Sequence, residues 1–142
     1  MCVRKFDEGS LFFRYTHPLY PLHAASANGH VFEVNRLIQE GGDVNEQTEY
    51  GSTTLHAASE NGHVEVVKRL IQAGADVNKQ DEKDANPLLH ASERGHVEVV
   101  KNLIQAGGEV NTQNGCGSTP LDLATENNHD EVANTLIQAG GQ

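Results

Sequence analysis

The feature that most constrains this chain is a segment that occurs twice, nearly unchanged, at a separation of 33 residues. Residues 62–74 and residues 95–107 differ at a single position. Weaker copies begin 33 residues before the first segment, at Gly29, and 33 residues after the second, at Asn128. A constant period of this length is typical of a repeat array, in which each unit packs only against its neighbours.

Each unit of the array predicts two helices followed by a loop. In the second unit, Thr53 is placed to cap a short helix, and Gly62 is placed to end that helix in a left-handed conformation. A longer amphipathic helix is predicted over Val64–Ala73, with Glu65 and Arg69 spaced as an i,i+4 ion pair. One helix pair cannot enclose a core alone. We therefore predict an all-α solenoid of stacked helix-turn-helix units with hairpin-like loops.

The repeated residues closely resemble the ankyrin repeat, whose pattern combines Thr-Pro-Leu-His, two alanines, Gly-His, an apolar helix and Gly-Ala-Asp-Val-Asn. The second unit reads Gly51-Ser52-Thr53-Thr54-Leu55-His56-Ala57-Ala58 and ends with Gly74-Ala75-Asp76-Val77-Asn78. The resemblance covers about residues 15–142. It implies an ankyrin repeat domain of four units, at about residues 15–47, 48–80, 81–113 and 114–142.

Four departures from the pattern call for a structural explanation. Tyr20 stands where the other units have a side chain that can cap a helix. Glu33 falls on a position that is valine in the other three units. Asp84 and Asn128 replace glycines, and we expect Asp84 to tolerate the left-handed backbone better than most residues would.

Residues 1–14 do not match the repeat and are rich in large apolar side chains. The first unit of an array has no upstream neighbour, so one of its faces is bare. We predict that residues 1–14 cover this face as a cap. A frayed tail and the remnant of a longer protein are the alternatives, and unchanged thermal stability after deletion of residues 1–14 would exclude the cap.

The charge of the chain is strongly negative, with a formal net charge of -10 and no Lys or Arg after Lys101. A phosphate backbone would be repelled by such a surface, so nucleic acid is excluded as an expected partner. The simplest interpretation is solubility as a monomer. The alternative is an acidic face that attracts a basic protein partner.

The sequence also bears on compartment. Acidic residues follow the N-terminus where a signal peptide needs an apolar core, and no long apolar run is present, so we expect no membrane segment. The cytoplasm is the expected location, with the nucleus as an alternative. Two cysteines are too few for a disulfide framework, and we expect no bridge between them in such a compartment.

The eight histidines of the chain raise the question of a metal site. Four of them recur with the period: His30, His63, His96 and His129. Stacked units would place these four in a row about 10 Å apart, whereas zinc needs its ligands about 2 Å from one centre. We therefore predict hydrogen bonds between units and no metal ligands. His90 is displaced by one residue from the histidine position of the family, and we expect it to pack in the buried core.

No catalytic residue is predicted, because no Ser, Cys or Lys has a sequence context that would activate it as a nucleophile. The Gly-rich segments are spaced as helix ends and do not read as phosphate-binding loops. The sequence therefore predicts neither an enzyme nor a cofactor.

The resemblance implies that loop tips and short helices line one concave face, on which protein partners dock. Tyr and Arg, which are frequent at interface hot spots, occur among these positions. By the period, the candidate partner-binding residues are Glu49, Tyr50, Ser52, Glu60, Asn61, Glu82, Lys83, Glu93, Arg94, Glu126 and Asn127. The predicted function is a non-catalytic protein-binding module. The alternatives are a stoichiometric inhibitor or regulatory subunit, and a scaffold fragment or consensus-like design without a native partner.

A second hypothesis concerns Asn45, Asn78 and Asn111, each of which follows an acidic residue and a valine. Each also has a leucine eight residues before it. This spacing resembles the asparagine-hydroxylation sites of ankyrin repeats in animal proteins, so the chain could be the substrate of a modifying enzyme. The simpler explanation is that each asparagine satisfies backbone groups of its loop.

Overall fold

The computed structural model describes residues 19–142, and within this range the regular structure consists of eight helices and no strand. They form four pairs. The first helices of the pairs are α1 (Pro21–Ala27), α3 (Thr54–Glu60), α5 (Pro87–Arg94) and α7 (Pro120–Glu126). The second helices are α2 (Val31–Gln39), α4 (Val64–Gln72), α6 (Val97–Gln105) and α8 (Asp130–Gln138). The predicted cap at residues 1–14 lies outside the described residues and stays a prediction.

The helices form two rows that pack against each other. Each first helix contacts the second helix of its own unit and the first helix of the next unit, and the second helices contact one another in the same order. The core runs between the rows and is filled by fully buried leucines such as Leu55, Leu70, Leu88 and Leu103. This arrangement confirms the predicted all-α solenoid.

The first helices begin at the predicted caps. Thr53 Oγ1 accepts from the backbone N–H of His56 at 3.3 Å, and His56 Nδ1 accepts from the backbone N–H of Thr53 at 3.1 Å. This reciprocal pair satisfies two backbone donors that a helix start leaves free. Tyr20, at the start of α1, makes no side-chain cap hydrogen bond, as its lack of a short polar side chain predicted.

The turns between paired helices need a left-handed residue. Gly62 ends α3 with φ of 73°, as predicted. Asn128 takes the same place in the last unit with φ of 62°, and Asp84 adopts φ of 59° in a loop where other units have glycine. Asn and Asp adopt this conformation at less cost than bulkier residues do, which explains both replacements.

The predicted ion pair between Glu65 and Arg69 is wrong. Glu65 pairs instead with Lys68, at 3.6 Å, one turn away on the exposed side of α4. Arg69 Nε donates to Asn35 Oδ1 at 2.7 Å, on helix α2 of the preceding unit. A neighbouring unit therefore offers Arg69 a better-placed acceptor than its own helix does.

Glu33 lies on α2 at the position that carries valine in later units. Its side chain is 44% exposed and pairs with Arg36, whereas Val66, Val99 and Val132 are completely buried. Within the described residues, α2 is the first of the second helices, so this position lacks a preceding second helix to cover it. The charge is accommodated because the site is partly open to water.

Candidate functional site

The loops between units form hairpin-like turns. In the second unit the backbone N–H of Thr48 donates to Ser52 O at 2.9 Å, and in the third unit Asp81 N–H donates to Ala85 O at 2.9 Å. These bonds bring the ends of each turn together without forming a regular strand. The loop tips therefore have a defined conformation, which is a requirement for residues that recognise a partner.

Adjacent loop tips are also joined to each other. The backbone N–H of Glu82 donates to Tyr50 O at 3.1 Å, and the N–H of Gly115 donates to Lys83 O at 2.8 Å. The tips of the second, third and fourth units thus form one continuous row. The structure places the predicted binding residues Glu49, Tyr50, Glu82 and Lys83 in this row.

The other predicted binding residues lie at the C-terminal ends of the first helices, where α3, α5 and α7 are neighbours. Arg94, with its side chain 50% exposed, pairs with Glu60 at 3.0 Å, and Glu60 is only 12% exposed. The pair joins the C-terminal ends of the first helices of two consecutive units. The remaining members of this set are Asn61, Glu93, Glu126 and Asn127.

Two of these asparagines have structural partners. Asn61 Nδ2 donates to Ala57 O, and Asn127 Nδ2 donates to Leu123 O, both at 2.8 Å. Each amide gives a second donor to a carbonyl in the last turn of its own helix, which also accepts the backbone N–H of the same asparagine. Their carboxamide groups are therefore engaged in ending α3 and α7.

Ser52 differs from the exposed position that we expected. It is 8% exposed, and its hydroxyl oxygen lies 3.0 Å from His23 Nε2. This bond ties the loop of the second unit to helix α1 of the first. Ser52 faces the interior of the stack because the histidine of the preceding unit needs a partner there, so it is not available to a binding partner.

The periodic histidines form a ladder of hydrogen bonds between units. His63 Nε2 lies 3.0 Å from Ala27 O, His96 Nε2 lies 2.9 Å from Glu60 O, and His129 Nε2 lies 3.0 Å from Glu93 O. Burial lowers the pKa of His96, in keeping with a neutral ring that donates one hydrogen bond. The predicted structural role of this row is confirmed for these three residues.

The same histidine ladder requires a glycine immediately before each of His30, His63 and His96. A Cβ atom built on Gly62, which has a positive φ, would lie 2.7 Å from His96 Nδ1. Gly29 and Gly95 face His63 and His129 in the same way, at 2.5 Å. The repeated Gly-His segment is therefore a packing device, and it does not mark a ligand site.

His56 is fully buried and has a partner on each side of its ring. Nδ1 lies at the start of α3, against Thr53, while Nε2 lies 2.8 Å from Ala85 O in the loop of the next unit. The backbone N–H of Thr53 donates to Nδ1, so Nε2 carries the proton. Burial, with electrostatic repulsion from the neighbouring His90 ring as a smaller cause, lowers the pKa of His56 to about 4.

The prediction that His90 packs in the buried core is wrong. Its side chain is 22% exposed, and its Nε2 lies 2.8 Å from Asp81 Oδ2. The displacement by one residue turns the ring away from the core and toward the loop of its own unit. Burial opposes ionisation of Asp81, but the hydrogen bond and the charge of His90 prevail and lower its pKa to about 2.

His56, Asp81 and His90 together form a cluster of side chains that can ligate a metal ion, and the sequence did not predict it. One ligand atom each from His56, Asp81 and His90 lie within 4.8 Å of one another, and the rings of His56 and His90 meet edge to face at 5.5 Å. The signal in the sequence was the off-pattern His90. It could not be interpreted alone, because its neighbours come from a loop and from the preceding unit.

The three candidate modification sites bind the next unit through their side chains. Asn45 Nδ2 donates to Gly74 O at 3.1 Å, and Asn45 Oδ1 accepts from Asp76 N–H at 2.7 Å. Asn78 and Asn111 make the same two bonds one and two units later. Each asparagine therefore satisfies loop backbone groups, as the simpler explanation expected.

Cys116 lies on the exposed loop tip of the last unit and is disulfide-bonded. This differs from the unbridged cysteines that we expected. Its thiol is therefore not a candidate nucleophile in this structure.

Comparison with known proteins gives one family. A model of ankyrin repeats in three copies matches residues 9–81 and again residues 71–142. No curated protein matches the chain. In residues 19–142 no helix has the length and apolar character needed to cross a membrane. Since the two matches together span almost the whole sequence, the chain belongs to the ankyrin repeat family.

Proposed function

We propose that this protein binds a protein partner through the face formed by its loop tips and by the C-terminal ends of α3, α5 and α7. Ankyrin repeats are generally protein–protein interaction modules and are typically non-enzymatic. We further propose that the chain acts without catalysis of its own, as a monomer, and that the face is the concave one that the family uses.

The observation that carries this proposal is the alignment of the candidate residues across units. The hydrogen bonds between neighbouring tips, Glu82 to Tyr50 and Gly115 to Lys83, hold three loops in one row. The pair between Glu60 and Arg94 continues the same order along the helix ends. Residues held in fixed positions lose little entropy on binding, so such a row is suited to recognition.

Charge supports a partner with basic groups. Lys83 and Arg94 are the basic members of the face, and Arg94 is already paired with Glu60. The acidic members are Glu49, Glu60, Glu82, Glu93 and Glu126. An excess of carboxylates accelerates association with a positively charged surface and makes that association sensitive to salt.

A pull-down from lysate of the source, read by mass spectrometry, tests the proposal. The variant carries Tyr50→Ala, Glu60→Arg and Arg94→Glu. It removes the aromatic side chain and inverts two charges, but the inverted pair can still form, so the helix ends should remain folded. A protein retained by the parent and lost by this variant would identify the partner and locate the site.

The matched control inverts a pair on the second helices, with Glu65→Lys and Lys68→Glu. These two side chains also form an ion pair, at 3.6 Å, but both lie on the exposed side of α4 within one unit. The control should retain the partner. A partner that is lost from the control and kept by the first variant would contradict the proposed face.

The family's function leaves two narrower roles open, an inhibitor or regulatory subunit and a scaffold fragment without a native partner. An inhibitor would suppress an activity of the captured protein in stoichiometric amounts. A scaffold would leave that activity unchanged while binding a second protein at the same time. If no protein is retained by the parent and lost by the face variant, a scaffold without a native partner is favoured.

Hydroxylation of Asn45, Asn78 or Asn111 remains a prediction with its own test. The side-chain amides are engaged with the next unit, so an enzyme would need the array to open locally before it could reach Cβ. Intact mass of the protein from its native source would show steps of one oxygen if the modification occurs. A single unmodified mass would exclude it.

A further inference from the structure

We propose that His56, Asp81 and His90 bind one divalent transition-metal ion, with Zn²⁺ as the expected ion. One ligand atom of each residue lies within 4.8 Å of the other two. Two imidazole nitrogens and one carboxylate oxygen form a ligand set that zinc accepts and that nickel, cobalt and copper also accept. The three residues join helix α3, the loop of the third unit and helix α5.

The repeat pattern gives an independent reason to treat this cluster as more than a structural contact. The second unit has Thr48 where the third has Asp81, and Ala57 where the third has His90. The repeat therefore folds without either side chain. Two departures, nine residues apart in one unit, converge on the buried His56 of the neighbouring unit.

The carboxylate is already held in place for a ligand. Asp81 Oδ1 accepts from the backbone N–H groups of Lys83, at 2.9 Å, and of Ala85, at 3.0 Å. The other oxygen, Oδ2, lies 2.8 Å from His90 Nε2. A metal ion would take the place of the proton between these two atoms, and the backbone bonds would keep the carboxylate oriented as outer-shell contacts do.

His56 can join them by changing its tautomer. Its Nε2 now donates to Ala85 O, on the side of the ring that faces the Asp81 loop. To bind a metal, this nitrogen must lose its proton, and Nδ1 must carry one instead. Thr53 Oγ1, at 2.8 Å, can accept from the protonated Nδ1, and this bond replaces the one that Thr53 N–H now donates to that nitrogen. Ala85 O retains the bond that Asp81 N–H donates, at 2.9 Å.

The site is open to solvent on the side of His90 and Asp81. The side chains of His90 and Asp81 are 22% and 10% exposed, whereas His56 is buried. Tetrahedral zinc ligands are about 3.4 Å apart. Asp81 Oδ2 and His90 Nε2, now 2.8 Å apart, must therefore separate slightly, and the more distant ligand atoms, which lie within 4.8 Å of one another, must close by roughly 1 Å. Bound metal would then fasten the loop of the third unit to α3 and α5.

Isothermal titration of the intact protein with ZnCl₂ near neutral pH tests the proposal. We expect one ion per chain with a micromolar or tighter dissociation constant. The variant Asp81→Thr with His90→Ala, which installs the second unit's residues, should bind about tenfold or more weakly. The control His30→Ala removes an exposed histidine and should bind as the parent does.

A second measurement separates ligation from folding. Zn²⁺ should raise the melting temperature of the parent and of the His30→Ala control, because a ligand that binds the native state stabilises it. A variant with Asp81→Asn and His90→Leu carries the fourth unit's residues and should show no such rise. Equal zinc affinity in the parent and in both cluster variants, or no zinc binding by the parent, would overturn the proposal.

Discussion

The second and third units are almost identical in one half and different in the other. Helices α4 and α6, with the Gly-His segment before them, differ at one residue, and their Val66, Val67, Val99 and Val100 are all completely buried. The loops and first helices differ at many positions, including Thr48 against Asp81 and His56 against Leu89. The uniform half holds the stack together, and the variable half carries the proposed partner face and metal site.

Sequence identity between the two units is high where second helices pack against one another. In the uniform half, each second helix packs against the second helix one unit away, so one set of buried side chains serves every interior unit. In the variable half, the backbone conformation is kept by cross-loop hydrogen bonds that any residue can make. Side chains there are free to differ, which is the condition under which units acquire separate functions.

The largest expected effect comes from placing the first unit's residue in the uniform half of the second. Val66→Glu would place a carboxylate at a completely buried position. The equivalent Glu33, in contrast, is partly open to water and is paired with Arg36. We expect a loss of at least about 4 kcal/mol in the free energy of unfolding, measured by urea denaturation, because position 66 is completely buried and Arg69, the counterpart of Arg36, already bonds Asn35. The reverse change, Glu33→Val, should leave stability nearly the same. A mild effect of Val66→Glu would contradict the assigned packing.

The next effect concerns pH and the buried histidine of the variable half. The pKa of His56 is about 4 in the folded protein and 6.5 in the reference state. The unfolded chain therefore takes up a proton first, and stability is lost as pH falls from 6.5 toward 4, by about 3 kcal/mol in total. Urea unfolding at several pH values measures this loss.

The control for this prediction is His56→Leu, which installs the residue that the third unit has at the same position, Leu89. The variant should be less stable at pH 7 because Thr53 N–H and Ala85 O each lose a partner. Its stability should change less between pH 6.5 and 4. Parallel pH profiles for the parent and the variant would refute the role given to His56.

Two glycines with positive φ differ in the space around them. Gly62 faces His96, whereas a Cβ on Gly74 would meet nothing within 4 Å. We expect Gly74→Ala to cost about 1.5 kcal/mol from backbone strain, and Gly62→Ala to cost about 1.5 kcal/mol more, since the His96 ring must move off Glu60 O. Thermal unfolding of both variants checks the difference. Equal costs would mean that the ring adjusts freely.

Asn128 fits the same explanation. It occupies the position of Gly62 in the last unit with φ of 62°. Among residues 19–142 no histidine of the ladder follows His129, so no ring of the described ladder faces the Cβ of Asn128.

The smallest expected effect on stability comes from removing the pair between Asp81 and His90 in the variable half. Replacing Asp81 by Thr and His90 by Ala removes one partly exposed pair, so the free energy of unfolding should fall by only about 1 kcal/mol. Urea denaturation without added metal measures this change. A loss comparable to that of Val66→Glu would show that the pair is part of the core of the stack.

Much of the fold could be predicted because its determinants are local. The cap at Thr53, the left-handed turn at Gly62 and the tolerance of Asp84 for positive φ depend on one residue and its immediate backbone. The helix pairs followed from a period visible in the sequence. These features need no knowledge of what lies across the stack.

The errors share a different cause. Arg69 bonds Asn35, Ser52 turns inward to His23, and His90 bonds Asp81. The first two contacts cross from one unit to the preceding one, and the third joins a helix to its own loop. Such pairings depend on the rotation between stacked units and on the path of each loop, which the period alone does not determine.

The most direct test of the proposed face measures the affinity of one partner for variants in each of the two halves. With the captured protein in hand, its dissociation constant is measured by calorimetry for the parent, for the Glu60→Arg, Arg94→Glu variant, and for the Glu65→Lys, Lys68→Glu variant. We predict at least about a tenfold loss of affinity for the first variant and no change for the second. Unchanged affinity in the first variant with a loss in the second would contradict the assignment of binding to the variable half.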